Sequence, residues 1–417
     1  MKACVITLGC KVNDVESGSI IRGLEQAGYE VSRETERADL YILNTCAVTA
    51  EAERKSRQAV GKLIKLNPQA KIIVCGCATE KDADAFLEKG VVAVVGAQSK
   101  NRVLEIVQSG FQKEYLGNQI VPASGYEEMP LPKCLKTRNF VKIQDGCNRF
   151  CSYCVIPYLR GRSRSRSLES AKQEILQSQA LETVVTGIDV SAYKDEAGND
   201  LADLLFAVKD ADTRIRLGSM EVSLVTPKLI SALKSLKRFA PQFHLSLQSG
   251  SNAVLKSMNR HYTREEYLDA CKTLKQAFPD CAITTDIIAG FPTETQLDFE
   301  QSLSIIAEAG FAQIHAFPYS PRAGTNAYKK YKELPFELKK QRVEALLSAG
   351  WEQKQAYMQS FVGKTLVIVP ERCIDGLTEG YSENYIRVYV DGETANELTE
   401  VRVTELYKDG VRAQVIK

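Results

Sequence analysis

The chain has 417 residues, a length typical of two or three domains. Hydrophobic residues make up 44% of it and charged residues 25%, which is ordinary globular usage and excludes a largely disordered chain. There is no run of about 18 apolar residues, so no membrane span is predicted. The first residues enter a strand-like run at once, without the apolar segment and cleavage site of a secretory leader, which indicates a cytoplasmic protein.

The net charge of +2 is distributed unevenly along the chain. Counted as Lys and Arg minus Asp and Glu, it is −1 for residues 1–130, +6 for residues 131–350 and −3 for residues 351–417. The middle segment is therefore the one that would attract a polyanionic partner.

Twelve cysteines in a cytoplasmic chain favour metal or redox chemistry over a disulfide framework. Half of them have no ligand-like neighbours and are interpreted as small buried hydrophobes: Cys4, Cys75, Cys134, Cys271, Cys281 and Cys373.

Residues 1–115 alternate β-rich runs with amphipathic helical runs, which predicts a flavodoxin-like α/β domain with a parallel sheet. The predicted strands are Ala3–Leu8, Leu40–Leu43, Ile72–Cys75 and Val91–Val95, and the predicted helices are Asp14–Ala27, Glu51–Leu66, Glu80–Lys89 and Ser99–Gln108. Residues 116–135 contain several Pro and Gly residues and are predicted to be a linker.

Residues 136–350 repeat the alternation, with predicted strands at Phe140–Gln144, Thr183–Thr186, Ile215–Gly218, His244–Leu247, Ile283–Ile288 and Gln313–Phe317. Six such units predict a partial (β/α)6 barrel with its chemistry at the carboxyl ends of the strands. Residues 351–417 are predicted to form a small all-β barrel, entered through a helical stretch at Phe336–Gln359 and built of short strands with Asp-Gly turns.

A C-x3-C-x2-C motif directly follows the first strand of the predicted (β/α)6 barrel and consists of Cys147, Cys151 and Cys154. Three thiolates at this spacing can hold three irons of a cubane cluster and leave the fourth iron open for chemistry. Zinc bound with a distant histidine is the alternative, and the chain has only three histidines to offer for it.

This arrangement resembles the signature of radical S-adenosylmethionine enzymes. The resemblance implies that the amino and carboxylate groups of S-adenosylmethionine chelate the open iron, and that one-electron reduction then yields methionine and a 5′-deoxyadenosyl radical. Tyr153 matches the aromatic residue usual before the last ligand and is a candidate contact to the adenine. Packing of the loop onto the barrel is the alternative role for this side chain.

Three further cysteines each lie just past the end of a predicted strand of the N-terminal domain, namely Cys10, Cys46 and Cys77. The carboxyl ends of neighbouring parallel strands line one crevice, so successive βα units would bring these thiols to one point. Cys75 falls inside its strand and is predicted to be packed there. On spacing alone, three separately buried cysteines are an equal alternative.

The motifs around both sets of cysteines, and several motifs beyond them, are similar to those of methylthiotransferases. They are Leu8-Gly9-Cys10-Lys11-Val12-Asn13, Asn44-Thr45-Cys46-Ala47-Val48, Gly76-Cys77-Ala78, Gln144-Asp145-Gly146-Cys147, and the runs 156–166, 244–251, 284–292 and 317–320. The C-terminal module resembles the TRAM domain of that family, so the resemblance covers nearly the whole chain.

The resemblance implies two [4Fe–4S] clusters, the second of them auxiliary, held by Cys10, Cys46 and Cys77 and open at one iron for the sulfur to be inserted. One S-adenosylmethionine would methylate that sulfur. A second would supply the radical that removes hydrogen from an unactivated C–H bond, and an electron donor such as flavodoxin or ferredoxin is implied.

Within the family, Leu8–Asn13 resembles the branch that acts on N6-threonylcarbamoyladenosine in tRNA, at position 37 on the 3′ side of the anticodon. The rival substrates are N6-isopentenyladenosine in tRNA and a ribosomal protein. In a different class, the rival is a non-catalytic iron–sulfur RNA-binding protein.

Four alternating arginines follow the C-x3-C-x2-C motif and would face one side of an extended segment: Arg160, Arg162, Arg164 and Arg166. They are candidates to bind phosphates or a substrate carboxylate, with local ion pairs as the alternative. Further S-adenosylmethionine contacts are predicted at the carboxyl ends of the strands, at Gly187, Ser219, Glu221, Gln248, Ser249, Asp286 and Gly290. Turn formation by the glycines and a capping role for the aspartate are the alternatives.

Overall fold

The computed structural model describes residues 1–87, 90–132 and 137–416. Cys134, the end of the predicted helix Glu80–Lys89, part of the predicted linker 116–135 and the first residue of the predicted barrel domain 136–350 lie outside these residues, as does residue 417. The described chain forms a sheet domain, a partial barrel and a closed barrel. Within it, no helix is both long and apolar enough to cross a membrane.

The N-terminal domain is a parallel sheet with helices packed on both of its faces. Its strands are β1 (Lys2–Thr7), β2 (Glu30–Ser32), β3 (Leu40–Thr45), β4 (Lys71–Gly76), β5 (Ala93–Val95) and β6 (Gly117–Gln119), in the spatial order β2-β1-β3-β4-β5-β6. Its helices are α1 (Lys11–Gln26), α2 (Ala50–Leu66), α3 (Cys77–Lys81), α4 (Asp84–Leu87) and α5 (Asn101–Gln108).

The four predicted strands of this domain are present, and the two that were missed lie at the edges of the sheet. Both β2 and β6 have only three residues, and Val31 is the single apolar side chain among them, so neither strand gives an apolar run. The strand β6 lies inside the segment predicted to be a linker and pairs with β5. The single helix predicted from Glu80 is divided, because Asp82 leaves the helical conformation and its carboxylate accepts a hydrogen bond from the Ala85 N–H of α4 at 3.2 Å.

The second domain is a partial barrel whose six predicted parallel strands are all present. Its strands are β7 (Arg138–Asp145), β8 (Arg164–Ser165), β9 (Glu182–Gly187), β10 (Arg214–Leu217), β11 (Ser219–Met220), β12 (Gln242–Leu245), β13 (Ala282–Ala289) and β14 (Gln313–Pro318). The strand β10 pairs with β9 and β11 pairs with β12. Because the chain passes directly from β10 to β11 through Gly218, the two four-stranded sheets form one curved wall.

The helices of this domain connect its strands or follow them. They are α6 (Ile156–Leu159), α7 (Leu168–Leu176), α8 (Leu201–Ala207), α9 (Pro227–Ser235), α10 (Asn252–Ser257), α11 (Arg264–Ala277), α12 (Gln296–Ala309), α13 (Asn326–Lys330) and α14 (Phe336–Gln359). The last of them, α14, has the bounds predicted from the sequence and leads into the C-terminal module.

The C-terminal module is a closed barrel of five strands, as the turn pattern predicts. They are β15 (Thr365–Ile374), β16 (Leu377–Ser382), β17 (Arg387–Asp391), β18 (Thr399–Tyr407) and β19 (Gly410–Val415). All neighbouring strands are antiparallel except β17 and β19. Met358 and Phe361, at the end of α14, pack into the core of this barrel and fix it to the helix.

Five buried charged side chains join the sheet domain to the partial barrel, and we call them the interdomain ion cluster. Glu16 of α1 accepts hydrogen bonds from Lys142 of β7 at 2.7 Å and from Arg160 at 2.9 Å, and it pairs with Lys100. Asp145, at the end of β7, pairs with Lys142 at 2.9 Å and with Arg160 at 3.0 Å. None of the five side chains is more than 8% exposed.

The cations of the interdomain ion cluster hold its two carboxyl groups ionised. Burial alone would raise the pKa of Glu16, but Arg160, Lys100 and Lys142 overcome it and hold this pKa well below its usual value. Burial likewise opposes ionisation of Asp145, and Lys142 and Arg160 hold its pKa below the usual range. Glu16 crosses the domain boundary and gives Lys142 and Arg160, which share Asp145 within the partial barrel, a second buried carboxylate.

Replacing Glu16 with Gln removes the anion shared by three buried cations, so we expect a loss of about 3–5 kcal/mol in the free energy of unfolding. Urea unfolding followed by circular dichroism measures this loss. Because the folded pKa of Glu16 and of Asp145 is depressed, the contribution of the cluster is present above the usual carboxyl pKa and is lost as the pH falls through the folded values. The unfolding midpoint of the wild type should fall accordingly in acid.

The matched control is Glu51→Gln, since Glu51 pairs with Arg54 at 2.7 Å on the surface and both side chains are more than half exposed. Its unfolding midpoint should equal that of the wild type. A Glu16→Gln protein as stable as this control would contradict the importance of the interdomain ion cluster.

Candidate active site

Three cysteines of the N-terminal domain come together at the carboxyl ends of β1, β3 and β4. Cys10 immediately precedes α1, Cys46 follows β3, and Cys77 is the first residue of α3. Burial raises the pKa of Cys46 and of Cys77, and neighbouring thiols of the same set raise it further. The structure therefore places these three thiols close enough for the charge of one to affect the pKa of another.

The loops that carry this N-terminal set approach one another closely. Gly9 has a φ of +107°, and a Cβ there would lie 2.7 Å from the Cβ and 2.8 Å from the Sγ of Cys46. The Asn13 side chain donates hydrogen bonds to the backbone carbonyls of Leu8, at 2.8 Å, and of Thr45, at 2.9 Å. Thr45 donates to the backbone carbonyl of Cys75 near the end of β4 at 2.7 Å. A glycine and short polar side chains thus hold the three loops close together.

The second set, Cys147, Cys151 and Cys154, lies in the loop that follows β7. Burial and the neighbouring thiols raise the pKa of Cys147, and together they raise the pKa of Cys154 to about 12. Two arginines donate to sulfur in this loop: the backbone N–H of Arg149 to Cys147 at 3.4 Å and the guanidinium of Arg260 to Cys151 at 3.3 Å. Donors of this kind stabilise cluster thiolates.

A cavity of about 150 Å³ lies beside the second set. Acidic side chains and arginines on its wall form ion pairs with one another. Glu221 pairs with Arg149 at 2.5 Å and with Arg260, and Asp189 pairs with Arg149 at 2.6 Å. Burial raises the pKa of Glu221, against the effect of the two arginines. Carboxylates and guanidinium groups in one small space are the partners that the ammonium and carboxylate groups of an amino acid require.

A larger cavity of about 660 Å³ extends between the three domains. Cys10 lies on its wall, together with the inner faces of β12, β13 and β14 and with residues of the C-terminal barrel. It shares Ile156, Ile188 and Ser219 with the small cavity. Cys10 of the N-terminal set and the three cysteines of the second set therefore face one connected space.

The residues predicted to contact S-adenosylmethionine fall into two groups. Tyr153 and Glu221 line the small cavity, Gly187 and Asp286 line the larger one, and Ser219 lines both. Tyr153 also packs against an apolar cluster beneath the loop, so its two proposed roles are compatible. The described residues on the two cavity walls do not include Gln248, Ser249 and Gly290.

Each of these three residues has a role in the local conformation of the chain, and their contact with S-adenosylmethionine stays a prediction. Gln248 has a φ of +69°, and its backbone N–H donates to the carbonyl of Asp286 at 2.8 Å. The Ser249 hydroxyl is buried and accepts a hydrogen bond from the Ser251 N–H at 3.2 Å. Gly290 has a φ of +68°, and a Cβ there would lie 2.4 Å from Cγ of Lys339.

The four alternating arginines do not share an open face, which corrects their predicted role. Arg160 belongs to the interdomain ion cluster, and Arg166 is buried and paired with Glu174. Arg164 donates to a carboxylate of the same cluster at 3.1 Å and to a backbone carbonyl at 2.6 Å. Intramolecular acceptors therefore occupy these three guanidinium groups, while Arg162 is exposed and its contact with substrate stays a prediction.

Two family models match the chain: "Uncharacterized protein family UPF0004" over residues 2–96 and "Radical SAM superfamily" over residues 141–306. The threonylcarbamoyladenosine tRNA methylthiotransferase MtaB of Bacillus subtilis is 35% identical, covering 99% of this chain and 96% of the relative. The enzyme of that name from Chlamydia pneumoniae is 36% identical over 99% of this chain and 97% of its own length. The tRNA-2-methylthio-N(6)-dimethylallyladenosine synthase of Thermotoga petrophila is 35% identical, over 91% of this chain and 88% of its own.

The fold is also found in a solved structure of the radical S-adenosylmethionine methyltransferase TsrM from Kitasatospora setae. It superposes with a TM-score of 0.55 over 91% of this chain and 80% of the other, at 13% sequence identity. This likeness concerns the fold alone.

This chain belongs to the radical S-adenosylmethionine methylthiotransferase family, in the part of it that modifies tRNA. As a member, it is an enzyme that uses S-adenosylmethionine and two [4Fe–4S] clusters. The residues present fit these cofactors, because each cysteine set offers three thiols, one fewer than the irons of a cubane. In the described parts of the chain no three His, Cys, Asp or Glu side chains converge on one metal ion, and a cubane, which binds each thiolate through a different iron, needs no such convergence.

Sequence reasoning missed most of the polar residues that surround the two cavities. Arg149 lies inside the C-x3-C-x2-C motif, so its position was a usable signal, whereas Asp189 and Arg260 come from distant loops with no motif of their own. His244 and His315 were considered only as zinc ligands. Their rings lie 6.3 Å apart on the wall of the larger cavity.

We propose Cys10, Cys46 and Cys77 as the ligands of the second cluster. A Cys10→Ala protein should then lose about half of its iron, falling from about eight to about four atoms per chain. It should still cleave S-adenosylmethionine reductively to 5′-deoxyadenosine, since the other set is intact, but it should form no methylthiolated product. Iron analysis and chromatography of the products measure these effects.

Cys373→Ala is the matched control, because Cys373 is exposed on β15 and belongs to neither set. It should keep the full iron content and full activity. Product formation by the Cys10→Ala protein would contradict the ligand assignment.

Proposed function

We propose that this methylthiotransferase acts on N6-threonylcarbamoyladenosine at position 37 of tRNA, on the 3′ side of the anticodon, and forms the 2-methylthio derivative. The family alone does not select this substrate, since relatives of equal identity carry the names of two different tRNA modifications. The observation that carries the proposal is the charge on the wall of the larger cavity.

That wall holds more positive charge than its own carboxylates neutralise. Its two arginines, Arg216 and Arg387, are each paired with a carboxylate, at 2.8 and 2.9 Å. Lys11 and Lys354 also line the cavity, and neither forms an ion pair within 4.0 Å among the described residues. Burial lowers the pKa of Lys354, and Asp409, which is paired with Arg387, opposes this effect only in part.

The candidate substrates differ in the charge of the group on N6. A threonylcarbamoyl group carries a carboxylate and a hydroxyl, whereas an isopentenyl group is uncharged and apolar. The two unpaired ammonium groups, beside polar side chains such as His244, His315 and Gln242, can pair with the carboxylate of a threonylcarbamoyl group. An isopentenyl group would leave them without an anion. The wall therefore supports the threonylcarbamoyl substrate.

The residues around the two sets of cysteines have distinct roles in the proposed reaction. When bound, S-adenosylmethionine and the clusters supply the methyl group, the inserted sulfur and the radical that removes hydrogen from the base. Glu221 and Asp189, with the arginines between them, would hold the amino-acid part of S-adenosylmethionine. Ser219 lies where the two cavities meet, between the space proposed for S-adenosylmethionine and the space proposed for the modified base. The walls of both cavities would exclude water from the radical.

The reaction also needs single electrons at low potential, and we propose flavodoxin or ferredoxin as the donor. The non-catalytic alternative is disfavoured, because relatives along the whole chain are methylthiotransferases.

Mass spectrometry of nucleosides from total tRNA tests the proposed substrate directly. In a strain that lacks the gene, 2-methylthio-N6-threonylcarbamoyladenosine should disappear while other methylthio nucleosides persist, and the wild-type gene should restore it but the Cys10→Ala gene should not. Loss of the isopentenyl derivative instead would reassign the substrate. No change in any methylthio nucleoside would reject tRNA as the substrate.

Lys354→Ala tests whether the positive charge on the cavity wall binds the substrate carboxylate. Losing a charge-assisted hydrogen bond of about 1.5–3 kcal/mol should lower kcat/KM for tRNA that carries N6-threonylcarbamoyladenosine by roughly ten- to hundredfold. Reductive cleavage of S-adenosylmethionine without tRNA should keep its rate, because the small cavity is unchanged.

Lys340→Ala is the control on the same helix, since Lys340 is exposed. Its kcat/KM should equal that of the wild type. Equal values for the Lys354→Ala protein would contradict carboxylate recognition by this lysine.

A further inference from the structure

Residues 322–327 follow β14 and reach the loop that carries Cys46. Arg322 is only 6% exposed, and its Nη2 donates a hydrogen bond at 2.6 Å to the backbone carbonyl of Ala47, the residue after Cys46. The same nitrogen donates to the Glu53 carboxylate of α2 at 3.0 Å. A buried charged donor on this carbonyl holds the loop of Cys46 against the partial barrel.

Glu53 extends this contact towards a second N-terminal cysteine. It is buried, and it accepts hydrogen bonds from the Lys81 ammonium at 2.9 and 3.0 Å. Lys81 ends the short helix α3, and the first residue of that helix is Cys77. Arg57, one turn further along α2, pairs with the same carboxylate at 3.2 Å. Arg322 thus binds the carboxylate that joins the elements next to two of the three N-terminal cysteines.

The other end of residues 322–327 contacts the second set of cysteines. The backbone N–H of Ala327 donates to the carbonyl of Ser152 at 2.7 Å, and Ser152 lies between Cys151 and Cys154. The N–H of Ser152 in turn donates to the carbonyl of Met258 at 2.8 Å. Since both backbone groups of Ser152 are bonded, the loop of the second set is held in place at this residue.

Hydrogen bonds within this segment join its two ends. The carbonyl of Arg322 accepts from the Thr325 N–H at 3.1 Å and from the Thr325 hydroxyl at 2.7 Å. The same hydroxyl accepts from the Tyr328 N–H at 3.4 Å and caps α13. Residues 322–327 therefore form a hydrogen-bonded connection between the loops of the two sets of cysteines.

We propose that Arg322 is a positioning residue, which fixes the loop of Cys46 relative to the loop of the second set and thereby the separation of the two clusters. The interdomain ion cluster joins the same two domains through α1 and β7, whereas Arg322 acts on a loop that carries a cysteine. Separation matters because a misplacement of about 1 Å can slow a reaction between two bound groups about hundredfold. The inference rests on the proposed assignment of the N-terminal set as cluster ligands, and it is independent of which nucleoside is modified.

Arg322→Met tests the proposal, since methionine removes the donor and keeps much of the buried volume. Glu53 keeps Lys81 and Arg57 as partners, so the variant should fold and hold about eight irons per chain. Hydrogen–deuterium exchange of the reconstituted full chain should be about ten- to hundredfold faster in peptides from residues 44–53. Peptides from the C-terminal barrel should exchange as in the wild type.

The second measurement compares two products of the reaction, with tRNA from the strain that lacks the gene as substrate. Arg322→Met should cleave S-adenosylmethionine reductively at the wild-type rate, because the second set is intact. It should form about ten- to hundredfold less methylthiolated nucleoside per 5′-deoxyadenosine. The KM for tRNA should keep its value, because Arg322 is not among the described residues that line either cavity.

Arg57→Met is the matched control, because Arg57 pairs with the same carboxylate from the surface of α2 and its side chain is 46% exposed. Its exchange and its ratio of products should equal those of the wild type. Wild-type exchange in residues 44–53, or a wild-type ratio of products, in the Arg322→Met protein would overturn the proposal. If the wild type itself forms no methylthiolated nucleoside, the proposed substrate fails, and the exchange measurement still tests the role of Arg322.

Iron analysis covers the case in which Arg322→Met loses a cluster. A fall from about eight to about four irons per chain, with reductive cleavage of S-adenosylmethionine retained, would support the proposal, because only the N-terminal set would be affected. Loss of both clusters, or faster exchange throughout the chain, would overturn it, because Arg322 would then stabilise the fold as a whole.

Discussion

Glu16 and Asp145 bind the same buried guanidinium from opposite sides of a domain boundary, and the active site depends on that contact. Ions removed from water are stable only when paired, and Asp145 alone cannot neutralise both Lys142 and Arg160, so the partial barrel needs Glu16 of the sheet domain as a second carboxylate. The contact fixes how the sheet domain lies on the partial barrel. It thereby sets Cys10 on the wall of the cavity that meets the second set of cysteines at Ser219.

The C-terminal barrel completes this cavity. Tyr381 and Tyr385 stack at 4.8 Å and lie on the cavity wall, where Arg216 packs against the Tyr385 ring at 4.9 Å. The helix α14 leads into this barrel and also supplies Lys354 to the same wall. A module with a net charge of −3 is poorly suited to bind phosphates over its whole surface. Its place on the cavity wall gives it a role in shaping the proposed substrate site.

The features that could be predicted from the sequence are those that depend on local geometry. Strand ends in a parallel sheet meet at one edge, so the positions of Cys10, Cys46 and Cys77 made their convergence one of two equal predictions. The alternation of β-rich and helical runs located all six barrel strands. Pairings between distant side chains left no such signal. Arg160 was therefore interpreted as a substrate ligand, since its partner Glu16 is 144 residues away. The short strand β6 has no apolar run, and its pairing with β5 is visible only in three dimensions.

The unequal exposure of the N-terminal cysteines has a consequence for how the enzyme is assembled. Cys46 and Cys77 are 5% and 2% exposed, whereas Cys10 is exposed and faces the larger cavity. With the sheet domain in place on the partial barrel, iron and sulfide from solution would reach this set through the larger cavity. The substrate would use the same cavity. Maturation and turnover would then compete for one entrance, and a bound tRNA would block repair of an oxidised site until it dissociates.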